Sequence, residues 1–210
     1  DVDKADILFG IEQEVDFIAA SFVRSVDDVR QLRHFLEDND GQEIKIISKI
    51  ENMQGVKNLN AIIDLSDGIM VARGDLGVEI PFKNLPAIQK TMIEKCYRAG
   101  KIVVTATQML ESMTKSPRPT RAEVSDVANA IYDGTSAIML SGESAAGDYP
   151  CEAVQTMAEI AEAAESSINY KTDFVINDCN LDKNIRDTIC KAACGAADYM
   201  DAKAIVTVTR

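Results

Sequence analysis

Five short segments rich in apolar and β-branched residues recur along the chain, and most are apolar on both faces that a strand presents. They are Phe17–Val23, Lys45–Glu51, Gly68–Leu76, Ile102–Leu110 and Ala137–Glu143. Each begins roughly 23 to 35 residues after the previous one, with a helical pattern between them. Strands buried on both faces are typical of a parallel sheet covered by helices. The pattern predicts an α/β fold, either an open doubly wound sheet or part of an eight-stranded barrel, and spacing alone does not choose between them.

The helical patterns carry their own start signals. Ser25 stands where it can cap one helix, and Thr120 with Glu123 forms the capping-box pattern at the start of another. Pro86 and Pro150 fit the first turns of two further helices, where the missing N–H costs no hydrogen bond. These signals support the alternation of strands and helices over this part of the chain.

The pattern changes after Asn169. A helix is predicted over Ile185–Met200 and one more strand over Ala204–Val208. A buried parallel strand needs neighbours and covering helices. The sequence therefore predicts most of one α/β domain in residues 1–169, the beginning of a second α/β domain in residues 170–210, and a longer parent protein.

Charge and composition exclude several classes of function. The chain has 34 Asp and Glu against 22 Lys and Arg, a net charge of −12, which argues against nucleic-acid binding because such proteins need a basic face. No apolar run approaches the length of a membrane span. Five scattered cysteines without a secretory signal indicate reduced thiols in a cytoplasmic protein. The single histidine, His34, lies off the apolar face of its helix, so a Ser–His or Cys–His pair is not expected.

Four of the five predicted strands end in a polar residue, a spacer and a second polar residue. The pairs are Lys49 with Glu51, Arg73 with Asp75, Thr105 with Thr107, and Ser141 with Glu143. Residues i and i+2 of a strand point to the same side, and the carboxyl ends of parallel strands form one rim where ligands bind. We therefore expect these side chains to converge at that rim, with small spacers such as Gly74 leaving room for a ligand.

The residue types at the rim favour an anionic substrate and a divalent metal. Glu51 and Asp75 are hard oxygen ligands of the kind that Mg²⁺ and Mn²⁺ prefer. Lys49 and Arg73 bring positive charge suited to a developing oxyanion. The alternative is that the charged residues form structural ion pairs, and that the long Arg73 side chain folds back as a brace.

Several longer segments resemble the pyruvate kinase family. They are Ile47–Asn52, Ile69–Gly77, Ala106–Met113, Pro117–Glu123, Met139–Glu143 and Gly147–Pro150, in the family's order. The resemblance covers essentially the whole chain, more loosely after residue 169. It implies a (β/α)8 barrel of which this chain holds strands four to eight, followed by the start of the family's C-terminal α/β domain.

The resemblance also implies the chemistry. The family transfers a phosphoryl group from phosphoenolpyruvate to ADP, giving pyruvate and ATP, with Mg²⁺ or Mn²⁺ and usually K⁺. It implies that Lys49 is the catalytic cation and that Glu51 and Asp75 are the metal ligands. It also implies that Gly74, Asp75 and Thr107 bind the substrate carboxylate. Substrate-binding roles are further expected for Lys49 and Arg73, and Thr107 or Ser141 is the candidate for the proton path. A cytoplasmic homotetramer is expected, with neither nucleic acid nor membrane as a partner.

Two departures and two alternatives remain at this point. The first departure is Ser144, at a position where the family typically has Thr. The second is that this sequence lacks the first three barrel strands, which carry the K⁺ ligands in the family, and the lid that helps bind ADP. A Mg²⁺-dependent lyase or aldolase acting on pyruvate enolates would use a similar rim. A non-catalytic structural or interface fragment is the other alternative, and we expect the 210-residue chain alone to be inactive.

Overall fold

The computed structural model describes residues 2–169 and 185–207, and the chain divides into two compact units, Asp1–Ser166 and Ser167–Arg210. The first unit contains a five-stranded sheet in which all neighbouring strands are parallel. The strands are β1 Phe17–Ala20, β2 Lys45–Ile50, β3 Gly68–Ala72, β4 Ile102–Ala106 and β5 Ala137–Met139.

The strand order answers the question that spacing left open. The order in the sheet is β1-β2-β3-β4-β5, the same as along the chain. A doubly wound sheet reverses direction at a switch point, whereas a barrel is wound in one direction throughout. The sequential order therefore supports part of a barrel rather than a doubly wound sheet.

Helices follow or precede every strand of the first unit. They are α1 Val2–Glu12, α2 Val26–Glu37, α3 Met53–Lys57, α4 Leu59–Leu65, α5 Arg73–Glu79, α6 Leu85–Arg98, α7 Arg121–Tyr132, α8 Gly142–Ala145 and α9 Pro150–Ser167. Short 3-10 turns occupy Phe82–Asn84 and Glu111–Thr114. In the second unit, α10 spans Ile185–Tyr199, close to the predicted helix.

The two faces of the sheet bury different sets of side chains. On β2, Ile46 and Ile50 belong to the large core formed with the helices, together with residues of α2, α4 and α6. Ile47 belongs instead to a smaller cluster with Met70 and Ala106 on the opposite face. Because side chains alternate along a strand, Lys49 shares the face of Ile47. The face opposite the helices therefore carries the first of the predicted site residues.

The predicted helix starts are confirmed at atomic detail. The Ser25 side chain accepts a hydrogen bond from the Asp28 N–H at the start of α2. Thr120 and Glu123 form a reciprocal capping box at the start of α7. Proline lies in the first turn of α6 and at the first position of α9.

The predicted strands begin at the right residues but end too late. Four of the five observed strands stop three or four residues before the predicted end, and β2 stops one residue before it, because the backbone leaves the sheet at the rim. The predicted strand Ala204–Val208 is wrong over residues 204–207, which form no regular structure, while Val208 lies outside the described residues. A strand needs a neighbour to pair with, and no described segment pairs with these residues.

Cys96, Cys151, Cys190 and Cys194 are free, and burial raises the pKa of the Cys96 thiol to about 12. Among residues 2–169 and 185–207, no helix combines the length and the apolar character that a membrane crossing requires.

The capping box of α7 can be tested by Thr120→Ala in the protein that contains this chain. The substitution removes the hydroxyl that accepts from the Glu123 N–H and should lower the free energy of unfolding by about 1 kcal/mol. Thr120→Ser keeps the hydroxyl and is the matched control in chemical denaturation. Equal losses in the two variants would show that the methyl group, not the cap, matters.

Candidate active site

At the end of β2, two of the predicted residues contact each other. The Lys49 Nζ lies 2.7 Å from Glu51 Oε1, and the Glu51 side chain is only 2% exposed. The i, i+2 relationship thus places both side chains on one side of the sheet, as the sequence predicted. A second acceptor for Lys49 Nζ is Ser21 Oγ, at 2.9 Å.

The residue after Ser21 holds the other oxygen of the same carboxylate. The Phe22 N–H donates to Glu51 Oε2 at 2.5 Å. Phe22 adopts a left-handed backbone with φ of 57°, which is uncommon for a large non-glycine residue. This conformation occurs where the predicted strand Phe17–Val23 was expected to continue, and it aims an N–H at Glu51 instead of along the sheet.

At the end of β3, the predicted arrangement is wrong. The strand stops at Ala72, and Arg73–Glu79 is helical, so Arg73 and Asp75 are not alternate residues of a strand. Successive helical residues are about 100° apart around the axis, so positions i and i+2 face in nearly opposite directions. Accordingly, Arg73 is 7% exposed whereas Asp75 is exposed.

The buried Arg73 side chain braces the end of β4. Its Nε and Nη2 donate to the Thr107 carbonyl oxygen at 3.1 and 2.6 Å, and Nη2 also donates to the Gln108 carbonyl oxygen at 3.0 Å. Its Nη1 lies 2.6 Å from Asp126 Oδ2 on α7. The guanidinium is therefore engaged within the protein, which corrects the prediction that it faces the substrate and supports the alternative of a structural brace.

The segment that Arg73 holds has a strained backbone. Thr107 and Gln108 have φ values of 70° and 54°, and a left-handed β-branched residue such as Thr107 is an outlier. Such strain persists only where surrounding contacts hold it, and it is concentrated at functional sites. The Arg73 hydrogen bonds to both carbonyl groups provide that support.

Thr107 in turn approaches the start of α5. Its Oγ1 accepts a hydrogen bond from the Gly74 N–H at 2.8 Å. A Cβ added at Gly74 would lie 3.4 Å from that same Oγ1, which is an ordinary van der Waals contact. The hydrogen bond therefore links the start of α5 to the end of β4.

The strand-end pairs of β4 and β5 are not arranged as predicted either. Thr105 is buried and bonded to Thr135 Oγ1 at 2.9 Å, away from Thr107. Ser141 precedes the short helix α8, and its N–H donates to Glu143 Oε2 at 2.8 Å. Glu143 is fully buried, so Ser141 alone of this pair remains partly open to solvent.

A second carboxylate fixes the 3-10 turn that follows Thr107. Glu123 accepts hydrogen bonds from the backbone and hydroxyl of Ser112 at 2.7 and 2.5 Å, besides those from Thr120. Burial alone raises the pKa of Glu123, but the Ser112 and Thr120 hydrogen bonds outweigh it and leave the pKa below its usual value. The carboxylate is thus ionised at neutral pH and ties the turn to α7.

The carboxylates at the rim suit a divalent cation. Glu51 and Asp75 come from the ends of neighbouring strands, and Mg²⁺ usually takes one or two protein carboxylates together with substrate oxygens. No group of three or more metal-binding side chains occurs within residues 2–169 and 185–207.

Three contributors to this rim were not predicted from the sequence. Ser21, Phe22 and Asp126 reach it through a hydroxyl, a backbone N–H and a long-range ion pair. Asp126 lies 53 positions from Arg73, and only the described fold brings the two together. The left-handed backbone of Phe22 could not be expected from its residue type, since left-handed backbone is typical of Gly, Asn and Asp.

Comparisons with known proteins agree with one another. A family model described as the pyruvate kinase barrel domain matches residues 1–154. A pyruvate kinase of Clostridium acetobutylicum is 56% identical over 208 residues, covering 99% of this chain and 44% of that protein. One of Bacillus licheniformis is 56% identical over 207 residues, covering 99% of this chain and 35% of the relative.

A solved structure is similar as well. The crystal structure of a pyruvate kinase from Cryptosporidium parvum matches with a TM-score of 0.93 and 48% identity, over 97% of this chain and 43% of that one. The chain thus spans less than half the length of these relatives.

The brace on Thr107 can be tested by Asp126→Asn. Removing the carboxylate leaves the buried guanidinium without its counter-charge and should loosen the contact between Thr107 and Gly74. We expect amide exchange in residues 73–77 to accelerate about tenfold, equivalent to about 1.4 kcal/mol, by hydrogen–deuterium exchange mass spectrometry.

The matched control is Asp133→Asn, which removes a carboxylate at the end of the same helix, paired with the exposed Lys90. It should leave exchange in residues 73–77 unchanged. Equal acceleration in both variants would mean that α7 is destabilised generally and that Asp126 has no special role.

Proposed function

The chain belongs to the pyruvate kinase family, and we propose that it is part of an enzyme that transfers the phosphoryl group of phosphoenolpyruvate to ADP, giving pyruvate and ATP. The observation that carries this proposal is the contact of Lys49 with the buried Glu51 at the carboxyl rim of the sheet. This contact supports the proposal because it sets a cation beside the carboxylate proposed to bind the metal, and phosphoryl transfer depends mainly on positioning and charge neutralisation.

Lys49 is the proposed catalytic cation. An ammonium group has three N–H donors, and the contacts with Ser21 and Glu51 use two of them. The third can bind a phosphoryl or enolate oxygen, where negative charge develops in the transition state. Because Lys49 is held at two points, its charge is positioned before the reaction and need not reorganise during it.

The substrate carboxylate has a proposed site between β3 and β4. The Gly74 N–H already bonds to Thr107 Oγ1, so a donor from each strand end converges at one point. A carboxylate oxygen that takes the place of Thr107 Oγ1 as acceptor of the Gly74 N–H can also accept from the Thr107 hydroxyl and from the Asp75 N–H, as the family resemblance implies. Arg73 acts here by holding the Thr107 backbone rather than by binding the substrate.

Glu51 and Asp75 are the proposed ligands of Mg²⁺ or Mn²⁺. When bound, the metal supplies a Lewis acid for the enolate and phosphoryl oxygens. Glu51 contributes a carboxylate fixed by Phe22 and Lys49, whereas Asp75 lies exposed in the first turn of α5. K⁺ dependence, a tetrameric assembly and a cytoplasmic location belong to the proposal through the family, with the K⁺ ligands outside this sequence.

Proton delivery to the enolpyruvate carbon is assigned to a hydroxyl at the same rim. Thr107 and Ser141 are the two candidates, one after β4 and one after β5. Both follow strands that neighbour each other in the sheet. The proton path therefore approaches from the β4–β5 side, while Lys49 acts from β2.

The proposal predicts the effect of Lys49→Met in the complete enzyme. Loss of a charge that matters most in the transition state should lower kcat by about 10²- to 10³-fold and change KM much less. Lys45→Met is the matched control, because Lys45 lies at the other end of the same strand. Steady-state pyruvate formation measures both variants. A variant that loses only affinity would make Lys49 a binding residue, and a full loss in the control would point to damage of the sheet.

A second prediction concerns the metal. Glu51→Gln removes one anionic ligand and should raise the Mg²⁺ concentration needed for half-maximal activity at least tenfold, with partial recovery of turnover at saturating Mg²⁺. Glu43→Gln, an exposed carboxylate before β2, is the control and should leave the Mg²⁺ titration unchanged. An unaltered titration in Glu51→Gln would reduce Glu51 to the structural partner of Lys49.

A further inference from the structure

Glu143 is a fully buried carboxylate whose two oxygens serve two different loops. Its Oε1 accepts a hydrogen bond from the Leu110 N–H at 3.0 Å, and its Oε2 accepts one from the Ser141 N–H at 2.8 Å. It takes part in no ion pair of the described residues 2–169. A buried carboxylate without a cation is costly unless hydrogen bonds compensate it, so its geometry depends on these two N–H groups.

The two loops that Glu143 joins are the ones that carry the candidate proton donors. Leu110 lies three residues after Thr107, at the end of the segment whose start Arg73 holds by its carbonyl groups. A buried cation thus binds carbonyl oxygens at one end of this segment, and a buried anion binds an N–H at the other. Through Glu143, the same segment is tied to Ser141 on the neighbouring strand end.

We propose that Glu143 is a positioning residue for the protonation step, holding Thr107 and Ser141 in a fixed relation to each other. The inference rests on the proposed function. In this step the electron pair of the enolate C2=C3 bond forms a new C3–H bond with a proton from a hydroxyl. The enolate oxygen becomes the ketone oxygen, and the hydroxyl regains a proton from water.

Phosphoryl transfer and protonation of the enolate depend, in this proposal, on different residues. Phosphoryl transfer depends on Lys49, which is held from β1 and β2 by Ser21 and Glu51. Proton transfer needs a donor within hydrogen-bond reach of C3, and a displacement of about 1 Å is enough to slow such a step about a hundredfold. Loosening the link between the β4 and β5 loops should therefore impair protonation more than phosphoryl transfer.

Glu143→Gln in the complete enzyme tests this separation. Glutamine has nearly the same shape, but its NH₂ group cannot accept from a backbone N–H, so one of the two loops loses its partner. Phosphoryl transfer is followed as ATP formed in a single turnover by rapid quench. Protonation is followed in reverse, as exchange of the pyruvate methyl hydrogens in D₂O with Mg²⁺ and K⁺, by proton NMR.

We expect the exchange rate to fall at least tenfold more than the rate of single-turnover ATP formation. Glu111→Gln, an exposed carboxylate of the adjoining 3-10 turn, is the control and should leave the ratio of the two rates unchanged. If Glu143→Gln does not fold, Glu143→Asp is measured by the same ratio, since its shorter side chain cannot reach both N–H groups.

The outcomes distinguish the inference from the function on which it rests. Equal losses of the two rates in a folded Glu143 variant, or an unchanged ratio, would overturn the positioning role. An unaltered enzyme that forms no pyruvate from phosphoenolpyruvate and ADP would instead overturn the proposed function. A selective loss of exchange would support both.

Discussion

The parallel backbone ladder is the constraint on which the rest of the molecule depends. Its register pairs Lys49 with Met70 and Met70 with Val104, so neighbouring strands end at the same level. Because every pair is parallel, the residues that follow four strands reach a single rim. Alternation along β2 then sends Ile50 into the helix-covered core and Lys49 to the opposite face. A slip of one residue would exchange these two side chains, so the apolar core and the site are specified together.

The sequence predicts the start of each strand better than its end. All five strands begin at the predicted residues, because the change from polar loop to β-branched run is abrupt there. Their ends are not visible in the composition, since apolar residues such as Leu76 and Leu110 continue past the rim and are buried by packing outside the sheet. The spacing of the segments could not predict the strand order either, because barrel and doubly wound folds have the same alternation of strands and helices.

The sequence predicts site contacts between residues that are close together in the chain, but it does not predict contacts between residues that are far apart in the chain. Lys49 and Glu51 meet because two residues of separation in extended backbone suffice. The same rule fails for Arg73 and Asp75, where the chain has already entered a helix. The support of Thr107 by Arg73 and Asp126, and of Glu51 by Phe22, depends on left-handed backbone and on contacts across the fold. Neither the left-handed backbone nor the contacts across the fold can be recognised from the residue types.

The proposed chemistry depends on a divalent cation between Lys49 and the substrate site, at the rim after β2 and β3. Its most direct test is anomalous diffraction from Mn²⁺ in crystals of the complete enzyme with an analogue of pyruvate bound. The account predicts one Mn²⁺ whose protein ligands are carboxylate oxygens of Glu51 and Asp75, at roughly 2.0–2.2 Å as expected for small hard cations. A metal bound elsewhere, or Glu51 and Asp75 oxygens that point to opposite faces of the sheet, would contradict it.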